Sequence, residues 1–133
     1  MTFVTDTHPF VYHITAKRNR LGRRALTIFD AVKRGRDNLI VPFTALEEIL
    51  LLSEVGKIRL PLPFRDLLIS LGQADNFDLG VNDSALLLEA ATFTTIRDPY
   101  DRLIIAQARV AGLPLITGDE KIQDSGLVRT VWD

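Results

Sequence analysis

The 133-residue chain contains no cysteine. That excludes a disulfide framework, a thiolate metal site and a thiol nucleophile, and it suits a reducing compartment. No apolar run approaches the roughly 18 residues that a membrane span requires. The opening "MTFVTDTHPF" has neither the basic start nor the apolar stretch of a secretory signal. The expectation is a cytoplasmic protein with no membrane role. A strong net charge is missing too: 16 Lys and Arg stand against 17 Asp and Glu. The total therefore does not mark the chain as a nucleic-acid binder. No repeat, low-complexity segment or linker divides it, and its length suits a single domain over residues 1–133.

What is present is less even than the totals. Apolar residues make up 47% and charged residues 25% of the chain, enough for a real core. Residues 17–36 carry eight Lys and Arg against a single acid, Asp30. The remainder is accordingly acidic, and a basic segment beside it permits a phosphate partner that the sum conceals. The alternative for such a segment is a solvated helix face.

Apolar periodicity alternates between strand and helix. "FVT" (3–5) reads as a short strand ending at Asp6, with Pro9 suited to the first turn of a following helix. Leu21, Ala25, Ile28, Phe29 and Val32 recur at helical spacing before Gly35. "LIVPF" (39–43) reads as a buried strand in which Pro42 points to an edge or bulge. "TALEEILLLSEVG" (44–56) reads as a helix opened by a Thr44–Glu47 capping box and stopped by glycine. Further on come a helix over "FRDLLISLGQA", a strand over "FDLGV", and a helix through "SALLLEAAT" capped by Asn82 or Asp83. Asp98 and Pro99 then open a helix that runs to Gly112, followed by strands over 113–117 and 127–132. Alternating strands and helices predict an α/β fold with a mostly parallel sheet and helices on both faces.

Six acids invite a choice between local and chemical roles. Asp98, before a proline at the first helical position, fits an N-cap. Asp101 instead shares a helical face with Ile104, Ile105 and Ala108, the apolar stripe, while Arg102 and Arg109 mark the wet side. Glu47 belongs to the capping box. Glu48 falls in line with Leu51, Leu52 and Val55, and a carboxylate on a buried stripe is either neutralised or paired with a cation. Asp6 ends a strand and fits an N-cap as well; Asp119, in "LITGDEKI", fits a Gly-Asp turn. Taken together, Asp6, Glu48, Asp101 and Asp119 are all expected at the carboxyl edge of a parallel sheet, where ligands bind. Four converging carboxylates repel one another unless a positive charge lies between them. Without thiols the guest expected is a hard cation, Mg²⁺ or Mn²⁺. His8 is close enough in sequence to Asp6 to be weighed as a ligand; His13 is not.

With those residues in view, the sequence resembles the PIN-domain ribonucleases, and among them the VapC-type toxins of bacterial toxin–antitoxin pairs. The likeness rests on "VTDTHPFVYHIT", on "VPFTALEEILLLSEVGKIRL" and above all on "RDPYDRLIIAQARVAGLPLITGDEKI". "TALE" departs from the large residue that many members place before the glutamate, and 64–93 matches only in pattern. The resemblance implies a PIN-like three-layer α/β/α sandwich. Its acidic quartet falls on Asp6, Glu48, Asp101 and Asp119, as metal-binding and catalytic groups. It further implies Mg²⁺- or Mn²⁺-dependent endonucleolytic cleavage of RNA, a cognate antitoxin partner and a homodimer. Two other readings remain: a PIN-like module that binds RNA or protein without cutting, and a receiver domain that takes phosphate on one aspartate.

Overall fold

The computed structural model describes residues 1–133. The elements run β1 (Thr2–Thr5), α1 (Thr7–Ile14), a 3₁₀ turn (Arg18–Arg20), α2 (Arg23–Lys33), β2 (Asn38–Pro42), α3 (Phe43–Glu54) and α4 (Phe64–Gln73). They continue as β3 (Phe77–Gly80), α5 (Ser84–Ala91), α6 (Pro99–Ala111), β4 (Leu115–Ile116), α7 (Glu120–Ser125) and β5 (Thr130–Val131). The five strands form one sheet in the order β3-β2-β1-β4-β5, and every neighbouring pair is parallel. The chain first builds outward from β1 through β2 to β3, then returns to the other side of β1 for β4 and β5. The strand order therefore reverses between β1 and β4.

Alternation along the strands divides the core into two layers. Phe3, Leu39, Val41, Ile116 and Val131 face α1, α2, α3 and α4, packing with Phe10, Phe29, Leu46 and Leu67. Val4 and Leu115 face the other way, against Leu86, Ile104, Ile105 and Ile122 of α5, α6 and α7. Both faces of the sheet are thus covered, as parallel sheets require, and the expected three-layer α/β/α sandwich is what forms.

Local chemistry differs from expectation at several points. Pro42 lies in a strand flanked by β1 and β3, not at an edge. It is tolerated because it is the last strand residue and also the N-cap of α3, where no ladder N–H follows. No capping box forms, because α3 already begins at Phe43. Thr44 lies inside the helix, and its hydroxyl pairs with Asn82, whose Nδ2 donates to it at 3.1 Å. Asp83, rather than Asn82, caps α5 by accepting from the Leu86 N–H at 2.9 Å. The last two strands are short, at two residues each. The 3₁₀ turn and α7 have no counterpart in the sequence expectations.

Phe29 is fully buried, with the His13 ring stacked on it at 4.7 Å. Phe29→Ala is expected to lower the unfolding free energy by about 3–5 kcal/mol in urea titration. Leu88→Ala, at a site 71% exposed, is expected to change it by no more than about 0.5 kcal/mol.

Candidate active-edge pocket

The reversal of strand order leaves a crevice beyond the carboxyl ends of β1 and β4, the position where open α/β sheets bind ligands. Asp6 directly follows β1. Its backbone N–H donates to the Ile116 carbonyl at 2.9 Å, so sheet pairing itself fixes the residue. The side chain is 7% exposed. One carboxylate oxygen accepts from the Thr7 N–H at 2.8 Å, capping α1, and the other accepts from the Thr117 hydroxyl at 2.7 Å. Thr117 follows β4, and its Oγ1 in turn accepts from the Asp119 N–H at 3.1 Å. Asp119 caps α7, accepting from Lys121 N at 2.8 Å. A chain of hydrogen bonds therefore ties Asp6, Thr117 and Asp119 across the switch point.

Asp98 is the N-cap of α6, accepting from the N–H groups of Tyr100 and Asp101 at 2.9 and 3.2 Å, with Pro99 following. Asp101, one turn into α6, caps nothing. The face expected for it is correct: Ile104, Ile105 and Ala108 are buried. Arg102 is not on the wet side, however; its guanidinium donates to the Ala90 carbonyl at 2.9 Å. Glu48 reaches the pocket for a different reason than its sequence neighbours suggested. Leu51 and Val55 are 49% and 68% exposed, and the buried side of α3 is Thr44, Ala45, Leu46 and Ile49. Glu48 is half-buried because it faces the crevice, not because it lies on a core stripe.

Asp6, Glu48, Asp98, Asp101 and Asp119 all line one pocket of about 380 Å³, together with His8, Tyr12, Arg20, Gly118 and Trp132. The four acids singled out from sequence are thus brought together. Asp98, expected as a helix cap, joins them while capping. A neighbouring cleft of about 540 Å³ shares Asp98 and Asp101 and adds Arg97 and Lys121. No pocket acid makes an ion pair; the three salt bridges of the chain involve Asp37, Asp30 and Glu89. His8 is exposed at the rim, and His13 lies away from it on Phe29. Tyr12, Arg20 and Trp132 were not singled out as site residues: Tyr12 comes to the acids on α1, and only the folded 3₁₀ turn and β4–β5 pairing bring Arg20 and Trp132 there.

Crowding changes the acids themselves. Burial, then the charges of Asp6, Asp98, Asp119 and Glu48, push the Asp101 carboxyl up to about 7. Burial also raises Asp6, opposed by its hydrogen bonds from Thr117 and Thr7. Burial raises Glu48, and the nearby Thr7 hydroxyl offsets this in part. That hydroxyl is buried and makes no hydrogen bond. The acids nonetheless do not form a closed cage: no three Asp, Glu or His side chains are close enough to enclose an ion as they stand. In donor chemistry, an all-oxygen set with no basic partner suits a hard cation that keeps part of its water shell.

An acid-lined switch point on an all-parallel sheet puts the candidate site at the carboxyl edge, where open α/β sheets bind ligands. The PIN domain pattern matches residues 3–126, and the chain belongs to that family. No curated protein matches the sequence. Among solved structures the chain is similar to one in VapBC2 from Rickettsia felis bound to a DNA fragment from their promoter, with TM-score 0.71 and 17% identity over 100% of both chains. DNA-bound VapBC from Salmonella typhimurium gives 0.66 and 18%, covering 98% of this chain and 97% of that one. FitAcB from Neisseria gonorrhoeae gives 0.62 and 15%, covering 96% and 95%. These likenesses show a shared fold. No helix is long and apolar enough to cross a membrane.

The raised Asp101 pKa has a thermodynamic sign. The folded value, about 7, lies above the ordinary aspartate value of about 3.9, so the folded state holds more protons in between. The resulting stabilisation is complete below about pH 4 and is lost as pH rises through about 7. Asp6 and Glu48 act in the same direction. Because Asp101 remains partly exposed, screening limits the swing to on the order of 1–2 kcal/mol. Thermal melts in chelator are expected to show a falling midpoint between pH 5 and pH 8, and a flatter profile in Asp101→Asn. A midpoint that rises over this interval would contradict the repulsion.

Proposed function

We propose that the chain is a metal-dependent endoribonuclease, the toxin of a toxin–antitoxin pair, acting through Asp6, Glu48, Asp101 and Asp119. The observation that carries this reading is the shared pocket. Acids at the N-caps of α1 and α7 and within α3 and α6 line one crevice, none has a basic partner, and burial together with their mutual charge raises the Asp101 carboxyl to about 7. Mg²⁺ or Mn²⁺, when bound, supplies Lewis acidity toward a phosphate oxygen and lowers the pKa of water. Asp6, Asp101 and Asp119 would hold such an ion through its water shell, since no three acids close around an ion as they stand. Asp6 is the least mobile, with both oxygens already anchored, and it sets the register of the others. Glu48, on a separate helix and with a raised pKa, orients the attacking water and accepts its proton, or takes a second ion.

The protein-partner half of the reading has its own support. The similar solved chains come from VapBC and FitAB assemblies. Leu51 of α3, Val55 at its C-cap, and Leu87 and Leu88 of α5 are all close to half exposed or more, as surfaces that meet other chains often are. An antitoxin and a second copy of the chain are the partners we assign. The silent PIN-like module remains the alternative and predicts binding without cleavage.

Incubation with RNA is expected to give cleavage with Mg²⁺ or Mn²⁺ and none in EDTA. Asp6→Asn and Asp101→Asn, shown folded by circular dichroism, are expected to lose at least about 100-fold in rate. Wild-type rates in either folded variant would end the nuclease proposal.

A further inference from the structure

A phosphodiester approaching the pocket meets five carboxylates. A divalent ion can neutralise the contact at one phosphate, but the flanking phosphates and bases of an RNA strand need other partners. Arg20 is the only Lys or Arg among the residues lining the pocket. It is exposed, makes no ion pair, and its guanidinium lies 5.9 Å from the centroid of the Tyr12 ring. Its neighbour Arg18 is by contrast already committed to Asp30 through two hydrogen bonds of 2.8 and 3.0 Å.

Trp132 closes the same side. Its six-membered ring rests on Gly118, the residue before Asp119. A methyl group there would lie 2.7 Å from Trp132 Cζ2 and 2.8 Å from Cε2. At its other end the Trp132 carbonyl accepts from the Ala25 N–H at 3.0 Å, with Gly22 leaving room for that approach. Two glycines and a backbone hydrogen bond thus hold an indole that is partly packed on the core and partly open to the pocket. The part of the indole that borders the pocket offers a nucleobase a stacking platform, since aromatic faces stack on bases of any identity.

We infer that Trp132, Arg20 and Tyr12 form the nucleotide-binding rim of the pocket: the Trp132 indole stacks on a base next to the scissile phosphate, and Arg20, braced on Tyr12, holds an adjacent backbone phosphate. The inference rests on the nuclease reading for its substrate class and narrows that class to single-stranded or unpaired RNA, because a base inside a duplex cannot reach the indole.

Trp132 is the only tryptophan, so its fluorescence reports the contact directly. The full chain carrying Asp6→Asn, in Mg²⁺, is titrated with a short oligouridylate, with duplex RNA of equal length and with ribose 5-phosphate. Saturable quenching by the single strand alone is expected. By anisotropy, Trp132→Ala is expected to weaken binding about ten-fold and Trp132→Phe by much less. Arg20→Ala is expected to weaken it while lowering the salt slope by about one, with Arg20→Lys retaining most of the affinity. In the chain with all four acids intact, the losses fall on KM rather than kcat. Binding without quenching, no RNA binding at all, or full affinity in Trp132→Ala would overturn the inference. Should Trp132→Ala fail to fold, quenching of Trp132 itself and the Phe variant still decide. Stacking without Mg²⁺-dependent cleavage by the chain lacking Asp6→Asn would sink the nuclease reading and spare the rim; cleavage indifferent to Trp132 would do the reverse.

Discussion

The structure depends on an immobile negative charge at the point where the sheet reverses direction. Asp6 is nearly buried, its backbone belongs to the β1–β4 ladder, and both carboxylate oxygens are engaged, by Thr7 and Thr117. It cannot swing away when other acids approach. Asp101, Glu48 and Asp119 must therefore accommodate Asp6, and Asp101, raised by burial and then by the charges of Asp6 and its other neighbours, favours its protonated form. Burial of a carboxylate without a cation is unfavourable. Here the unfavourable charge is confined to the one crevice that the topology leaves open.

Capping and pocket-lining turn out to be compatible duties for one side chain. Asp6, Asp98 and Asp119 each satisfy the first amides of a helix and each border the same cavity. Three helix N-termini aimed at one place bring positive partial charge with them, which eases the crowding of the acids. A carboxylate has lone pairs to spare after accepting one or two N–H groups. Glu48 and Asp101, which cap nothing, are the ones whose ionisation is left to their surroundings.

Much of this was readable in the residues, and the failures have physical reasons. The helix from Pro99 to Ala111 announced itself through Asp98, Pro99, a 3.6-residue apolar period and a glycine that adopts φ +66°. The inward position of Asp101 followed from that period. Glu48 was placed correctly on a mistaken premise, since Leu51 and Val55 face outward; an apolar residue on a helix does not say which side the sheet is on. The Thr44 capping box failed because Pro42 starts the helix two residues earlier. Six residues give too little periodicity to reveal α7, so Asp119 read as a turn. The approach of Trp132 and Arg20 to the acids is a product of strand pairing near one end of the chain and a 3₁₀ turn near the other, and no local pattern encodes it.

The brevity of α7 has a consequence for how the crevice behaves in time. Six residues cannot hold a helix by themselves; this one leans on Ile122 in the core, on the Asp119 cap and on the Gln123 amide, which donates to the Thr117 carbonyl at 3.0 Å. Such a segment opens at far lower free energy than the sheet beneath it. Each opening carries one carboxylate outward and relieves electrostatic pressure on those that stay. Amide exchange between Glu120 and Ser125 should accordingly act as a gauge of how much negative charge the crevice holds at any moment, slowing whenever that charge is matched.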